Sequence, residues 1–231
     1  MRVAVIPARG GSKRIPRKNI RPFGNRPMIA HSLAVAKTSG LFEHVLVSTD
    51  DREIAEIARQ WGAEVPFERP AELADDHAGT TEVIAHAIGW MRTHGWQPDA
   101  VCCIYATAPF LMSDDLARGC RLLEEGRWEY VFAATSFGYP IQRALRRTAD
   151  GGMPMLHPEH WASRSQDLEE AFHDAGQFYW GRPEVWELAK PMFSAKSTAV
   201  ILPRWRVQDI DTEHDWKRAE LMLAALRQVA Q

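Results

Sequence analysis

The segment Val3–Arg21, VAVIPARGGSKRIPRKNIR, concentrates more chemistry than any other part of this 231-residue chain. Gly10, Gly11 and Ser12 sit among six cations, Arg9, Lys13, Arg14, Arg17, Lys18 and Arg21, and the first acidic residue is Glu43. Glycine lets backbone N–H groups approach an anion, while Arg and Lys neutralise it. The apolar run Val3–Ile6 reads as a buried strand that empties into this loop. In open parallel α/β sheets, ligands bind beyond the carboxyl ends of strands. A basic loop taken alone is more often a solvated surface; its position after the first strand turns the reading toward polyphosphate binding. Neither GxGxxG nor GxxxxGK followed by Ser or Thr occurs, which argues against a dinucleotide enzyme or an ATPase-type loop.

A second cluster is Val207-Gln208-Asp209-Ile210-Asp211-Thr212. Carboxylates at i and i+2 of an extended segment point to one side. Such a pair suits Mg²⁺, which takes one or two carboxylates together with substrate phosphates. A lone acidic turn of this kind usually caps the following helix; the phosphate loop elsewhere in the chain favours metal binding. A third run, Glu68–Asp76 with Thr80 and Thr81, either borders a base pocket or is a surface connection, and spacing alone does not separate the two. Tyr105–Phe110 ends a strand whose tail faces the same crevice. In Asp174–Trp180, polar and aromatic groups follow Gly176, which suits a sugar derivative, and alternate residues are free to be core. The nine histidines show no HExxH or HxH spacing, and there is no GxSxG elbow. Zinc chemistry and a Ser triad are therefore not indicated.

Charge supports one focused anion site. Of 28 Lys and Arg, nine precede residue 43; the remaining 19 face 30 acids. A uniformly basic nucleic-acid face is not expected. Cys102, Cys103 and Cys120 form no metal spacing, and the first two, in an apolar run, read as core residues of a reduced protein. With no signal-peptide pattern and no long apolar run, the chain is expected to be soluble, cytoplasmic and without a membrane partner.

Strand patterns at Val3–Ile6, His44–Ser48, Ala100–Tyr105, Tyr130–Thr135, Gln177–Trp180 and Thr198–Leu202 alternate with helical patterns. The helices are expected at Pro27–Thr38, Asp51–Trp61, Thr80–Thr93, Ser113–Glu124, Pro183–Lys190 and Thr212 to about Gln228, with Ser113 and Thr212 as caps. This implies an α/β fold with a mostly parallel sheet flanked by helices, in one domain spanning 1–231. Residues 137–176 break the rhythm around Asp150-Gly151-Gly152, as an inserted hairpin or arm would.

IPARGGSKRIPRKN at 6–19, ERPAELADD at 68–76 and VQDIDT at 207–212 together resemble the cytidylyltransferases that make CMP-activated acidic sugars, the CMP-sialic acid and CMP-KDO synthetases. The resemblance spans nearly the whole chain. It implies a Rossmann-like nucleotidyltransferase fold, a homodimer formed through the arm, and Mg²⁺-dependent joining of CTP to a 2-keto sugar acid. The sialic acid pattern departs at Tyr105, where those enzymes carry Gln, and at Leu111, where they carry Arg. YATAPF at 105–110, Tyr139–Arg143 and DAGQFYWG at 174–181 are similar to the branch that uses pseudaminic acid, which serves flagellin glycosylation or surface polysaccharide. Legionaminic acid, sialic acid or KDO remain alternative sugars, and a non-catalytic nucleotide-sugar sensor the alternative of another class. By the same resemblance, Arg9, Gly10, Gly11, Ser12, Lys18 and Asn19 bind CTP phosphates and ribose. Arg69, Asp76 and Thr80 border the cytosine, and Asp209 and Asp211 hold Mg²⁺. Tyr105, Gln142, Arg164, Gln177 and Tyr179 meet the sugar, with Arg164 facing its carboxylate. Lys18, Arg9 and the two aspartates are the catalytic candidates.

Overall fold

The computed structural model describes residues 1–75 and 78–229. Strand β1 (Arg2–Pro7) is followed by a two-residue-per-strand hairpin, β2 (Pro22–Phe23) and β3 (Arg26–Pro27), and helix α1 (Met28–Thr38). Then come β4 (His44–Ser48), α2 (Arg52–Gln60), α3 (Thr80–Thr93), β5 (Ala100–Ile104), α4 (Ser113–Glu124) and β6 (Tyr130–Ser136). The chain finishes with β7 (Phe172–Gly181), α5 (Pro183–Glu187), β8 (Ser197–Ile201) and α6 (Glu213–Val229). Six strands form one sheet in the order β4-β1-β5-β7-β6-β8. β1 is parallel to β4 and β5, β6 is parallel to β8, and β7 alone runs antiparallel to both neighbours. This is the mixed, mostly parallel α/β sheet expected from the alternating pattern.

Helices cover both faces, so β1 and β5 at the centre carry continuous apolar runs; Val3, Ala4, Val5 and Ile6 are fully buried. Alternation divides them between two cores. Ala4, Ile6, Val45, Val47, Cys102 and Trp180 pack with Ile29 and Leu33 of α1, Ile54 of α2 and Leu116 of α4. Val3, Val5, Leu46, Val101, Cys103 and Tyr179 pack with Ile84, Ile88 and Met91 of α3 and Trp186 of α5. All three cysteines are free thiols in this interior. No helix among the described residues is long and apolar enough to cross a membrane.

The register explains which loops meet. β1 pairs Pro7 with Ser48 and Val5 with Cys103, so the carboxyl ends of β1, β4 and β5 share one edge of the sheet. Because β7 is antiparallel, with Phe178 opposite Ile104, its amino-terminal half lies at that same edge. There β7 bulges: Phe132 pairs Tyr179 but Ala134 pairs Asp174, and Gly176 within the bulge has φ of +60°. A bulge re-aims side chains beside a site, and only glycine takes that backbone conformation cheaply.

Two local expectations need correction. Ser113 is the first helical residue of α4 and its hydroxyl caps nothing; Met112 occupies the cap position. α5 stops at Glu187 rather than Lys190, because Ala189 adopts φ of +47° and carries the chain out of the helix. Asp51 does cap α2, accepting from Ile54 N at 2.9 Å. Thr212 and Asp215 exchange cap hydrogen bonds at the start of α6.

Residues 137–171 leave the sheet between β6 and β7 as short 3-10 turns around a Leu145–Met155 bridge. The chain after β8 is fixed more firmly. Arg206 Nη1 donates to the buried Asp115 carboxylate at 2.6 Å, Arg118 donates to its other oxygen at 3.1 Å, and Gln177 Nε2 donates to the Arg206 carbonyl at 2.8 Å. Breaking a buried ion pair on one side leaves an uncompensated charge, a loss of about 3–5 kcal/mol. Asp115→Ala should lower folding stability by about that amount, read as a reduced urea midpoint; an unchanged midpoint would show that Arg206 is held by something else.

Candidate functional site

A cleft of about 310 Å³ opens at the carboxyl edge of β1 and β5. Arg9, Ser12, Lys18, Asn19, Arg69, Thr80, Tyr105 and Asp211 all line it, together with Lys13 and Arg14. A second cleft, about 480 Å³, adjoins it and is lined by Asp209, Asp174 and again Asp211. Asp211 is therefore the wall that the two share. Of the expected site residues, Asp76 lies outside the described residues.

The cationic loop is pinned by charge and by one apolar anchor. Arg17 takes φ of +55°, an unusual backbone region for a residue with a Cβ. Its guanidinium reaches Asp51 at 2.5 and 3.0 Å and Glu53 at 2.5 Å. Arg21 bonds Glu213 at 2.5 Å and lies 4.4 Å above the Trp216 ring. Two of the six loop cations thus hold the loop in place. Gly10 has a structural reason as well: a Cβ there would come within 2.7 Å of Asp51 Oδ2. Its N–H donates to Asp50 at 3.0 Å, so this amide shapes the loop instead of facing a ligand. Gly11 borders open space. Asn19 is buried and donates to the Arg9 carbonyl at 2.9 Å, which makes it a brace of the loop as much as a wall of the cleft.

Ile15 of this loop and Ile210 of the aspartate segment are buried in one small cluster with Phe23, Phe110 and Trp216. Burying Ile210 turns the flanking Asp209 and Asp211 outward, the geometry that the i, i+2 spacing implies. The loops then meet directly. Lys18 Nζ donates to the Ile210 carbonyl at 2.6 Å and to Asp211 Oδ1 at 3.3 Å, and Arg14 approaches the same oxygen at 3.0 Å. Asp209 is raised above the ordinary carboxylate range, first by burial of its charge among protein atoms and then by Asp211, while Lys18 pulls it down. Two crowded carboxylates of this kind accept a divalent cation favourably.

Arg69 is buried at the back of the first cleft, donating to the Ser48 carbonyl and, at 3.1 Å, to Ser48 Oγ. Desolvation pushes it down to about 10. From Thr80 a hydrogen-bonded chain runs inward. Thr80 Oγ1 and Tyr105 OH are 3.1 Å apart, the Tyr105 and Tyr179 rings lie at 5.1 Å, and Tyr179 OH donates to Asp174 at 2.5 Å. Burial raises both phenols.

Of the residues expected to meet the sugar, Tyr105 lines the first cleft, and Gln142, Arg164, Gln177 and Tyr179 line neither cleft. Tyr179 is 1% exposed and Gln177 is 3% exposed. Tyr179 OH donates to Asp174 and Gln177 Nε2 to the Arg206 carbonyl, while Gln177 Oε1 is buried without a hydrogen-bond partner. Gln142 and Arg164 lie in the arm and line neither cleft. Gln142 donates to the Glu169 carbonyl, and Arg164 is taken by Asp167 of its own turn at 2.7 and 3.2 Å. Conversely, Arg14, Asp174 and the anchors Asp50 and Asp51 were not singled out from sequence. Arg14 was one undifferentiated member of a charge run; Asp174 depends on the bulge in β7.

This fold and edge-of-sheet cleft agree with what the comparisons find. The cytidylyltransferase family profile matches residues 3–137, more than half of the chain, and the chain belongs to that family of nucleotidyltransferases. Pseudaminic acid cytidylyltransferase of Campylobacter jejuni is 44% identical over 220 residues, 95% of each chain. N-acylneuraminate cytidylyltransferase A of Danio rerio is 32% identical over 218 residues, 94% of this chain and 49% of that one. A solved CMP:2-keto-3-deoxy-manno-octonic acid synthetase complexed with CTP shares the fold, with a TM-score of 0.71, 16% identity, and coverage of 97% of this chain and 98% of that one.

The Arg17–Asp51 bond holds the Asp51 carboxyl below its ordinary value. Its contribution is complete above the unfolded carboxylate value of about 4 and is lost as pH falls through the lower folded value. Asn retains the helix cap, so Asp51→Asn isolates the charge. Since Arg17 is partly exposed, the expected loss at pH 7 is only about 1 kcal/mol. Thermal melts from pH 7 downward should show this gap closing below pH 4; a gap independent of pH would contradict the assignment.

Proposed function

We propose that the chain transfers CMP from CTP to the anomeric hydroxyl of a nine-carbon 2-keto sugar acid, pseudaminic acid, releasing pyrophosphate. The observation that carries this reading is the meeting of Lys18 and Arg14 with Asp211, the carboxylate that joins the cationic cleft to the adjoining one that holds Asp209. The relative at 44% identity supports the choice of sugar.

In this reading the triphosphate lies along the loop, where Arg9, Ser12, Lys13, Arg14 and Lys18 meet its oxygens. Charge grows on the departing pyrophosphate as the α-phosphorus is attacked, and pre-positioned cations stabilise it without reorganising. Arg69 and Thr80, at the inner wall, border the base. When phosphates draw Lys18 and Arg14 away, Asp211 is released to act with Asp209. These two carboxylates would hold Mg²⁺, which supplies charge neutralisation at the phosphates when bound. Among the described residues no group of three or more His, Cys, Asp and Glu is arranged to hold an ion. The remaining ligands in this reading are substrate oxygens and water. We place the activity in the cytoplasm.

The arm supports a homodimer. Tyr139 is 87% exposed and Trp161 76%, with Leu145, Met153 and Leu156 each more than half exposed. A second copy of the chain is the reading that covers them. Light scattering should give a dimer, and Tyr139→Ser with Trp161→Ser should shift it toward monomer; a wild-type monomer at all concentrations would refute this.

Incubation with CTP, Mg²⁺ and pseudaminic acid should yield the CMP conjugate and pyrophosphate, detected by mass. Asp209→Ala and Asp211→Ala should reduce turnover by about 10²-fold or more with the fold retained. Nucleotide binding without pyrophosphate release on any acidic sugar would overturn the reading.

A further inference from the structure

A row of hydroxyl groups runs from the wall of one cleft to the wall of the other, and its chemistry gives it a direction. Asp174 lines the second cleft; Thr80 and Tyr105 line the first. Both oxygens of Asp174 are engaged. Oδ1 accepts from the Gly176 amide at 3.0 Å, and Oδ2 accepts from Tyr179 OH at 2.5 Å. The Tyr105 ring lies 5.1 Å from that of Tyr179, and a side-chain hydrogen bond between the two phenols contributes to the ionisation of each. Tyr105 OH stands 3.1 Å from Thr80 Oγ1.

A carboxylate has no proton to give, so the proton of Tyr179 is committed to Asp174. Toward Tyr105 the Tyr179 oxygen only accepts, and it takes the single proton Tyr105 has. Toward Thr80 the Tyr105 oxygen likewise only accepts, so the Thr80 proton points inward. Each hydroxyl has one proton and spare lone pairs, and one charged end therefore orders the whole row. What Thr80 keeps for the first cleft is an acceptor and no donor.

The two pyrimidine bases differ in the matching property. Cytosine carries an amine at C4, which donates; uracil carries a carbonyl oxygen there, which accepts. We infer that Asp174 selects cytosine over uracil without touching the base, by obliging Thr80 Oγ1 to meet the C4 substituent as an acceptor. This rests on the reading that the first cleft holds CTP with Thr80 against the base. Uracil would set two acceptors face to face with no proton between them, and a site built to pair one donor rejects a ligand that lacks it. Asp174 and Tyr179 are positioning residues in this role.

Asp174→Asn reverses the row. The Gly176 amide requires an acceptor, so Asn keeps its oxygen there and turns its NH₂ group toward Tyr179. Tyr179 then donates to Tyr105, Tyr105 to Thr80, and Thr80 presents a donor to the cleft.

The test measures calorimetric Kd values for CTP and UTP, with Mg²⁺ and no sugar. It compares wild type, Asp174→Asn, Tyr179→Phe, Thr80→Val and the Asp174→Asn/Thr80→Val double variant. Wild type should bind CTP about tenfold or more tightly than UTP. Asp174→Asn should lower that ratio about tenfold or more, and Tyr179→Phe, which cuts the row, should lower it in the same direction. In the Thr80→Val background, Asp174→Asn should change the ratio by less than about twofold, which a general disturbance of the cleft would not reproduce. Thermal melts identify the folded variants; if Asp174→Asn does not fold, Tyr179→Phe answers in its place. An unchanged ratio in the folded variants would overturn the inference. So would an equal fall with and without Thr80, or a wild type that binds both nucleotides alike. The expected discrimination without pyrophosphate release on any acidic sugar would overturn the transfer reading and leave the role of Asp174 standing.

Discussion

An ammonium group held between the Ile210 carbonyl and the Asp211 carboxylate joins two parts of the chain 192 and 193 residues apart. Lys18 belongs to the loop after the first strand, Asp211 to the segment before the last helix. In the proposed reaction the site depends on this closure, because neither loop alone would have the groups to bind and activate a triphosphate. The cationic loop alone would neutralise phosphate without orienting it. The aspartates alone would repel the same phosphate. Brought together, they make two adjoining clefts that share Asp211, with the loop cations lining one and Asp209 lining the other.

Closure is not left to the charges themselves, which are partly exposed and individually weak. Ile15 and Ile210 are buried in the same cluster around Phe23 and Trp216, so an apolar contact sets the distance at which Lys18 and Asp211 meet. Further out, the buried Asp115 carboxylate takes Arg206, and Gln177 takes the Arg206 carbonyl. The antiparallel β7 then brings Asp174, Gly176 and Gln177 to the edge where the parallel strands end. The chemistry sits on the surface; its geometry is fixed from the core.

Much of this was legible in the residues. Alternation of apolar strands with helical patterns specified the sheet, since two-sided burial demands continuous hydrophobic runs. The i, i+2 aspartates faced one way because the residue between them is an apolar Ile with a core to enter. The cationic loop was legible because its composition is extreme and its position follows a strand. What remained hidden depends on partners far away in sequence. No local pattern tells that Arg17 and Arg21 anchor the loop while Lys18 faces the cleft, because Asp51 and Glu213 make that division. Gln177 and Tyr179 looked like ligand contacts from polarity and aromatic character; the bulge at Gly176 leaves them buried beneath the site. Arg164, expected from the resemblance to face the sugar's carboxylate, is paired with Asp167 three residues on.

The central claim is that Lys18 and Asp211 act on the same nucleotide, and a double-mutant cycle of CTP binding tests it most directly. Calorimetric affinities in Mg²⁺ would be measured for wild type, Lys18→Ala, Asp211→Ala and the double variant. Groups that share a ligand and touch each other should be non-additive by about 0.5–3 kcal/mol. Effects that simply add, within about 0.5 kcal/mol, would mean that the two residues serve separate sites.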